Sequence, residues 1–246
     1  MTDDPTRIAM WSGPRNISTA MMRAFSSRDD CAIIDEPFYA AYLAATDLDH
    51  PMRAEVLAAQ PSEWREVAAT LAGPIPGGKA VFYQKHMTHH MLPGFGRGWM
   101  KGCQSAFLIR SPEEVLASYA ARRDEVTLAD LGFARQAEIF AAEADRIGRA
   151  PPVVEAGDVL ADPRAALTGL CEAVGVGFQP AMLNWRAGPH PDDGVWGPAW
   201  YGAVRRSTRF GAPGPAVTID DLPERLRPIA EAARPFYERL ARYRLR

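Results

Sequence analysis

Short apolar runs that alternate with segments of helical period constrain the fold of this chain more than any other feature of its sequence. The runs predict strands near Arg7–Trp11, Cys31–Asp35, Ala80–Gln84, Ser105–Ile109 and Pro152–Glu155. Strands separated by helices usually pair in parallel, with the helices packed on the faces of the sheet. The sequence therefore predicts a three-layer α/β fold, in which a central parallel β-sheet of about five strands is flanked by helices.

The helical segments are bounded by residues that start and stop helices. We predict helices near Asn16–Ser27, Ser62–Leu71, Pro112–Ala121, Leu128–Ile147, Pro163–Val174 and Pro223–Arg242. Pro112 and Pro163 stand where a first helical turn tolerates a missing N–H, and Gly148 and Gly175 stand where a C-terminal cap is expected. Residues 186–215 collect glycine, proline and aromatic residues instead, which favours a functional loop.

Composition and charge argue against several classes of protein. A chain of 246 residues is most simply one domain, spanning residues 1–246. Its net charge of −2 gives no electrostatic reason to expect nucleic acid as a partner. Cys31, Cys103 and Cys171 lack the paired spacing of a zinc site and are typical of a reducing cytoplasm. No signal peptide and no apolar run of ~20 residues is evident, so we expect a cytoplasmic protein without membrane insertion. No oligomeric state is indicated.

The first strand is followed by a turn that could bind an anion. The segment Pro14-Arg-Asn-Ile-Ser-Thr19 leads from the strand into a helix, whose N–H groups and dipole favour negative charge. Arg15, Ser18 and Thr19 add donors. The alternative is an ordinary turn capped by Asn16 or Ser18. The segment is not a Walker A loop, because it lacks the second glycine and the lysine of that motif.

A second polar segment follows the predicted strand Ser105–Ile109. Arg110 ends the strand, and Ser118 lies about two turns into the next helix. Ligands of open α/β sheets bind at the carboxyl ends of the strands, and an arginine fork with a hydroxyl makes a phosphate clamp. The alternative is a surface ion pair between Arg110 and Glu113 or Glu114.

Three motifs in order resemble those of the sulfotransferase family. Pro14–Thr19 resembles the 5′-phosphosulfate loop, whose usual form is Pro-Lys-Ser-Gly-Thr-Thr. Arg110 with Ser118 resembles the 3′-phosphate motif, and Val154–Gly175 resembles the strand, turn and helix that follow it. The resemblance covers roughly residues 6–180. It is nearest to bacterial sulfotransferase-like proteins and to the sulfotransferase-like part of some plant proteins named after aminotransferases, and it implies a P-loop NTPase-like fold.

The resemblance implies an enzyme that transfers a sulfuryl group from 3′-phosphoadenosine 5′-phosphosulfate to a hydroxyl or amine of a small molecule, with no metal expected. The residues that it assigns to the 5′-phosphosulfate are Pro14, Arg15, Asn16, Ile17, Ser18 and Thr19. Arg110 and Ser118 would hold the 3′-phosphate, and Arg15 could stabilise charge on the bridging oxygen as the sulfuryl group departs. Such transfer depends on positioning and on charge stabilisation.

The chain departs from the family pattern at several positions. Arg15 replaces the usual lysine, and Ile17 replaces the usual glycine. The late glycine- and lysine-containing motif of cytosolic members is not evident. Its substitute could be the segment that begins at Trp200 and Tyr201, where an aromatic ring could stack on a base. The arginines that this segment offers to the 3′-phosphate are Arg205, Arg206 and Arg209; the alternative for them is a solvated basic loop.

The acceptor side needs a base that removes a proton. Lys85 and His86 follow the predicted third strand and imperfectly resemble the Lys-Thr-His motif of cytosolic sulfotransferases. The pKa of an ordinary histidine suits His86 to this task, with His89 and His90 as spare candidates. Glu36 is the rival, because it follows the second strand at the same sheet edge. It would need a pKa raised by burial.

Two other functions remain open from the sequence. One is an ATP-dependent kinase or phosphohydrolase with a divergent phosphate loop, which would require Mg²⁺. The other is a catalytically degenerate member that binds a nucleotide or a partner without turnover.

Overall fold

The computed structural model describes residues 5–120 and 126–245 and contains a five-stranded, all-parallel sheet. The strands are β1 (Thr6–Ser12), β2 (Cys31–Asp35), β3 (Val81–Met87), β4 (Cys103–Ile109) and β5 (Val153–Glu155). Their order across the sheet is β2-β3-β1-β4-β5. All five predicted strands are confirmed. The central position of β1 places the turn after it between the ends of β3 and β4.

Strand β3 is longer than predicted. It continues through Met87 because its last residues pair with β1, with Lys85 opposite Met10 and His86 opposite Trp11. The expectation that Lys85 and His86 follow the strand is therefore wrong. Since successive side chains of a strand point to opposite faces, these two neighbours lie on different sides of the sheet.

The helices surround the sheet in two layers. Their bounds are α1 (Ser18–Ser26), α2 (Tyr39–Thr46), α3 (Arg53–Ala59), α4 (Trp64–Ala72), α5 (Pro112–Ala120), α6 (Leu128–Leu131), α7 (Phe133–Ile147), α8 (Ala156–Ala161), α9 (Pro163–Ala173), α10 (Gly197–Trp200), α11 (Gly202–Arg205) and α12 (Arg227–Ala241). Of these, α2, α3, α8, α10 and α11 were not predicted. The predicted end of α5 at Ala121 lies outside the described residues.

The structure corrects two of the predicted helices, one at an internal glycine and one at its N-terminus. The single helix predicted over Leu128–Ile147 breaks into α6 and α7 at Gly132, which has a φ of 71°. A Cβ there would meet Oγ1 of Thr88 at 2.5 Å, so only glycine fits this turn. The predicted start of the last helix at Pro223 is instead a 3-10 turn, Glu224–Leu226, and α12 begins at Arg227.

The two faces of the sheet bury separate hydrophobic clusters. Residues such as Ile8 and Tyr83 pack on one face against α1, α2, α8 and α9. Their strand neighbours Ala9 and Phe82 pack on the other face against α4, α7 and α12. This alternation confirms the predicted three-layer architecture. It also places Lys85 with the first cluster and His86 with the second.

The irregular stretch 185–211, hereafter the late segment, returns to the first face of the sheet. The backbone N–H of Trp185 donates to the carbonyl of Thr208 at 2.9 Å, which joins the two ends of the segment. Trp196 and Tyr201 are buried in the first cluster. No helix within 5–120 and 126–245 has the length and apolarity to cross a membrane.

Candidate active site

A cavity of about 410 Å³ opens at the carboxyl ends of the central strands. One part of its wall, the loop half, is Pro14–Thr19 with Arg110 and Ser118. A second part, the carboxylate half, is built on Glu36 and Lys85, which line the cavity, with Asp35 and Tyr201 around them. Aromatic and apolar side chains complete the wall, among them Tyr39, Trp185, Trp200, Val204 and Phe210.

The loop half turns through two residues with left-handed backbone. Arg15 has a φ of 60° and Ile17 a φ of 50°, and α1 begins directly after them at Ser18. A β-branched residue rarely adopts this conformation, which glycine takes without strain. Ile17 thus holds a backbone conformation that glycine, the usual family residue at this position, would adopt without strain. Because Ile17 is not in a right-handed helical conformation, α1 starts at Ser18, two residues later than predicted.

The N-terminus of α1 is open toward the cavity. It has no side-chain cap and no acidic residue in its first turn. Asn16 does not cap the helix: it is buried, and its Nδ2 donates to the carbonyl of Leu108 at 2.9 Å. Because the first N–H groups of a helix lack intrahelical partners, this end can bind an anion. The alternative of an ordinary capped turn does not describe this segment.

Hydrogen bonds join the turn after β1 to the turn and helix after β4. Nε of Arg15 donates to Oγ of Ser118 at 2.9 Å, and Nη1 of Arg110 donates to the carbonyl of Arg15 at 3.1 Å. Nη2 of Arg110 also lies 3.4 Å from Oε1 of Glu114, so the surface pair considered from the sequence exists alongside the loop contact. The structure therefore brings Arg15, Arg110 and Ser118 together at one side of the cavity.

In the carboxylate half, one buried ammonium group serves two acids. Nζ of Lys85 lies 2.8 Å from Oδ1 of Asp35 and 2.5 Å from Oε1 of Glu36. Lys85 is only 1% exposed. Glu36 follows β2 with a φ of 41°, which turns its side chain back toward the lysine on β3. Its second oxygen, Oε2, lies 3.9 Å from Nδ1 of His90, which also lines the cavity.

Burial and charge set the protonation of these groups. Burial raises the pKa of Glu36 above its ordinary value, although the Lys85 ammonium opposes that shift. Burial alone would lower the pKa of Lys85, but the carboxylates of Asp35 and Glu36 outweigh it and raise the pKa overall. Burial, with the neighbouring His89, His50 and Lys85, holds the pKa of His90 well below 6.5. His90 is therefore neutral at pH 7 beside a carboxyl that titrates unusually high.

The late segment completes the carboxylate half. The hydroxyl of Tyr201 donates to Oδ2 of Asp35 at 2.6 Å and accepts from Nζ of Lys85 at 2.8 Å. Nε1 of Trp196 donates to the same hydroxyl at 2.7 Å, and the backbone N–H of Gly194 donates to Oδ2 of Asp35 at 3.0 Å. The Tyr201 ring is buried, with Nζ of Lys85 at 5.0 Å from its centroid. Because Trp200 and Tyr201 both line the cavity, stacking of a base on one of them stays a prediction.

The structure places His86 away from the cavity. Its ring lies on the opposite face of the sheet, stacked on Trp11 at 4.4 Å between centroids and 5.0 Å from the ring of Trp99. Nε2 contacts Oε1 of Gln84 at 3.2 Å. Burial lowers the pKa of His86 to about 3. In this position the side chain contributes to packing and does not reach a molecule in the cavity.

The three late arginines are placed differently from one another. Arg209 lines the cavity. Arg205 does not: its Nη2 lies 3.0 Å from Oδ2 of Asp193, a carboxylate that Arg23 also contacts at 2.6 Å. Arg206 is exposed and outside the cavity wall. Of these three arginines, Arg209 is therefore the one in position to meet a ligand.

Sequence reasoning missed Asp35 and the hydroxyl role of Tyr201. The acidic doublet Asp35-Glu36 at the end of a strand was the available signal for the first. Nothing local identifies the second, since Tyr201 lies 166 residues from Asp35. Within the described residues, no group of three or more His, Cys, Asp or Glu side chains is arranged to hold a metal ion.

Curated relatives resemble most of this chain. Two proteins of Arabidopsis thaliana, called branched-chain-amino-acid aminotransferase-like protein 1 and 2, are 36% and 34% identical over 210 and 206 residues. The matches cover 85% and 84% of this chain but only 37% and 36% of the plant proteins. The chain thus corresponds to little more than a third of each relative.

Two solved structures are similar to this chain at low sequence identity, and the first of them shares its fold. The sulfotransferase domain from the curacin biosynthetic pathway superposes with a TM-score of 0.51 at 14% identity, covering 98% of this chain and 99% of that domain. The sulfotransferase domain of the Synechococcus PCC 7002 olefin synthase gives a TM-score of 0.49 at 18% identity, covering 94% and 95%. The model of the family described as "Sulfotransferase domain" matches residues 6–242. This chain therefore belongs to the sulfotransferase domain family.

Proposed function

We propose that this protein transfers a sulfuryl group from 3′-phosphoadenosine 5′-phosphosulfate directly to a hydroxyl or amine of a small acceptor. One observation carries the proposal. A single cavity joins an uncapped helix N-terminus and two arginines, Arg15 and Arg110, to a buried carboxyl–ammonium pair, Glu36 and Lys85. The first group suits the anionic donor, and the second suits removal of a proton from the acceptor.

The loop half fits a doubly phosphorylated nucleotide. The open N–H groups of α1, with Ser18, Thr19 and Arg15, form a site for the 5′-phosphosulfate. Arg110 and Ser118 are the donors for the 3′-phosphate, and they are tied to the loop through Arg15. A guanidinium holds phosphate oxygens through its planar fork. The donor itself supplies the activated sulfuryl group.

Arg15 has a second task in this proposal. Its charge lies at the loop, where the bond between the sulfuryl group and the 5′-phosphate would break. A guanidinium stays protonated at ordinary pH, so Arg15 stabilises the developing negative charge without giving up a proton. Arg15 stands where the family loop usually has lysine, and its role here is limited to charge stabilisation.

Glu36 is the base in this proposal. It lines the cavity, whereas His86 lies across the sheet, and one of its oxygens is turned toward His90. Its pKa is raised by burial, which brings a carboxylate closer to the strength required near neutral pH. Because the carboxylate is the active form, the rate of transfer should rise as pH passes upward through the pKa of Glu36.

The first test is calorimetric titration with 3′-phosphoadenosine 5′-phosphate in the presence of a chelator. We expect micromolar binding, with much weaker binding of AMP, because AMP lacks the 3′-phosphate. Arg206→Ala is the matched control for Arg110→Ala, since Arg206 is an exposed arginine outside the cavity. Turnover of the sulfur-labelled donor in chelator, against a panel of hydroxyl and amine acceptors, then tests transfer.

Three outcomes would contradict the proposal. Equal affinity for AMP and the bisphosphate would remove the 3′-phosphate site. Binding of ATP that requires Mg²⁺, with no binding of the bisphosphate, would support the kinase or phosphohydrolase alternative instead. Nucleotide binding without turnover of the donor would favour the degenerate member considered from the sequence.

A further inference from the structure

The hydroxyl of Tyr201 uses its full hydrogen-bonding capacity inside the protein. A phenol has one proton to donate and two lone pairs that accept. The proton goes to Asp35, at 2.6 Å, and the lone pairs accept from Lys85 at 2.8 Å and from Trp196 at 2.7 Å. Glu36 is farther away, with Oε1 at 3.3 Å. The hydroxyl therefore has one fixed orientation, set by three partners.

Lys85 is equally saturated. An ammonium group has three protons, and Nζ donates one hydrogen bond to each of Asp35, Glu36 and Tyr201. The Tyr201 hydroxyl also stabilises the Asp35 carboxylate by donating a hydrogen bond to Oδ2. Without that hydroxyl, Asp35 would lose a donor and attract the ammonium more strongly, which would draw Nζ away from Glu36.

We propose that Tyr201 is a positioning residue for the reaction: its hydroxyl keeps Lys85 shared between Asp35 and Glu36, and so fixes the carboxylate that faces the acceptor. This inference rests on the proposed function, in which Glu36 is the base. The late segment would then help to orient the base, in addition to forming part of the cavity wall. Tyr201 acts through Lys85 and Glu36 and does not itself take part in the transfer.

Contacts that do not involve this hydroxyl hold the late segment in place. Asp193 is 3% exposed at its side chain and contacts Nη2 of both Arg23, at 2.6 Å, and Arg205, at 3.0 Å. A Cβ on Gly194 would lie 2.1 Å from the ring of Trp196, so this glycine lets the segment pass close to the indole. A variant that loses only the Tyr201 hydroxyl should therefore keep the segment seated.

Four polar groups face Glu36, and they act on its pKa in different directions. Burial raises that pKa most, and the nearby Asp35 raises it further. The Lys85 ammonium and the Tyr201 hydroxyl both lower it. His90, the fourth group, is neutral at pH 7. Loss of the Tyr201 hydroxyl should shift the titration of Glu36 upward, directly and through Lys85.

The experiment follows the ¹³C signals of glutamate carboxyl groups in the full chain as pH is varied. The signal that disappears in Glu36→Gln identifies Glu36. In Tyr201→Phe we expect its midpoint to rise by about one pH unit, the scale on which a lost charged contact shifts a pKa. Tyr83→Phe is the matched control, because it removes a buried hydroxyl that has no hydrogen-bond partner within the described residues. Asp35→Asn should move the Glu36 midpoint downward, because the charge of Asp35 raises that pKa. This variant replaces Tyr201→Phe in the experiment if Tyr201→Phe does not fold.

The same samples are titrated with 3′-phosphoadenosine 5′-phosphate. We expect Tyr201→Phe to bind it within about twofold of the parent protein, since the hydroxyl that is removed bonds to Asp35, Lys85 and Trp196, which lie outside the loop half. An unchanged Glu36 midpoint in Tyr201→Phe, or an upward shift in Asp35→Asn, would overturn the positioning role. Failure of the parent protein to bind the bisphosphate would instead overturn the proposed function, whatever the carboxyl titration shows.

Discussion

The two halves of the cavity are built in different ways. In the loop half, single hydrogen bonds connect half-buried groups, such as Arg15 to Ser118 and Arg110 to the loop backbone. In the carboxylate half, nearly every polar atom is buried and shared among several partners, as at Lys85 and Tyr201. The comparison teaches that one half is a half-buried polar surface that lines the cavity, whereas the other is a small polar interior that must be complete to be stable.

The largest expected effect breaks the carboxylate half. Lys85→Met should lower the free energy of unfolding by about 3–5 kcal/mol, because it leaves two buried carboxyls without their cation. The loss should shrink as pH falls, since the carboxyls then become neutral. Urea denaturation at several pH values measures it. Lys79→Met is the control, as Lys79 is exposed and its ammonium donates to the carbonyl of Asp29. Equal destabilisation by the two variants would contradict the comparison.

The next effect breaks the loop half without breaking the fold. Arg15→Ala and Arg110→Ala should each weaken binding of 3′-phosphoadenosine 5′-phosphate roughly 10- to 100-fold, as expected for a lost charge-assisted hydrogen bond. Thermal unfolding of both apo variants should stay close to that of the parent protein. Calorimetry provides the affinities. Unchanged affinity in both variants would show that these arginines do not hold the nucleotide.

A third prediction sharpens the comparison with a carboxyl that has no ammonium partner. Glu155 is buried at the end of β5, and Oε2 accepts a hydrogen bond from the Tyr237 hydroxyl at 3.0 Å. Burial raises its pKa from 4.5 to about 7. The folded state therefore binds this proton more tightly than the unfolded state, and stability present below pH 4.5 is lost as pH rises to about 7.

Glu155→Gln should remove that dependence and raise stability at pH 8 by roughly 3 kcal/mol relative to the parent protein, given about 1.4 kcal/mol for each unit of pKa shift. Denaturation midpoints between pH 5 and 8 test it. Glu172→Gln is the control, because Glu172 is exposed. Parallel stability curves for the parent protein and Glu155→Gln would contradict the assignment.

The smallest effect concerns the strained turn of the loop half. At Ile17, with its φ of 50°, glycine should be more stable than alanine by about 1 kcal/mol, because only glycine escapes the left-handed penalty. Both variants lose the same isoleucine packing, so their difference isolates the backbone. Urea denaturation compares them. Alanine equal to or better than glycine would argue against the left-handed turn.

The two halves also differ in how far the sequence predicted them. The loop half is formed by Pro14–Thr19, Arg110 and Ser118, which follow the ends of predicted parallel strands. Their positions in the sequence were therefore sufficient to predict that they lie at one edge of the sheet. The predicted helix bounds were wrong where a residue has a positive φ, as at Ile17 and Gly132, because such a residue interrupts a right-handed helix. The position of His86 was missed because the length of β3 depends on its register with β1, which no local pattern encodes.

The charges of six ion-paired side chains in and around the late segment balance when Glu36 is ionised. The three acids and three bases are Asp35, Glu36, Asp193, Lys85, Arg23 and Arg205. Any inherited change that removes one member leaves an uncompensated charge in the interior, so descendants of this chain should keep the set or exchange members in pairs. Recombination that imports residues 185–211 from a divergent relative should fail unless the matching partners on β2, β3 and α1 are transferred with them.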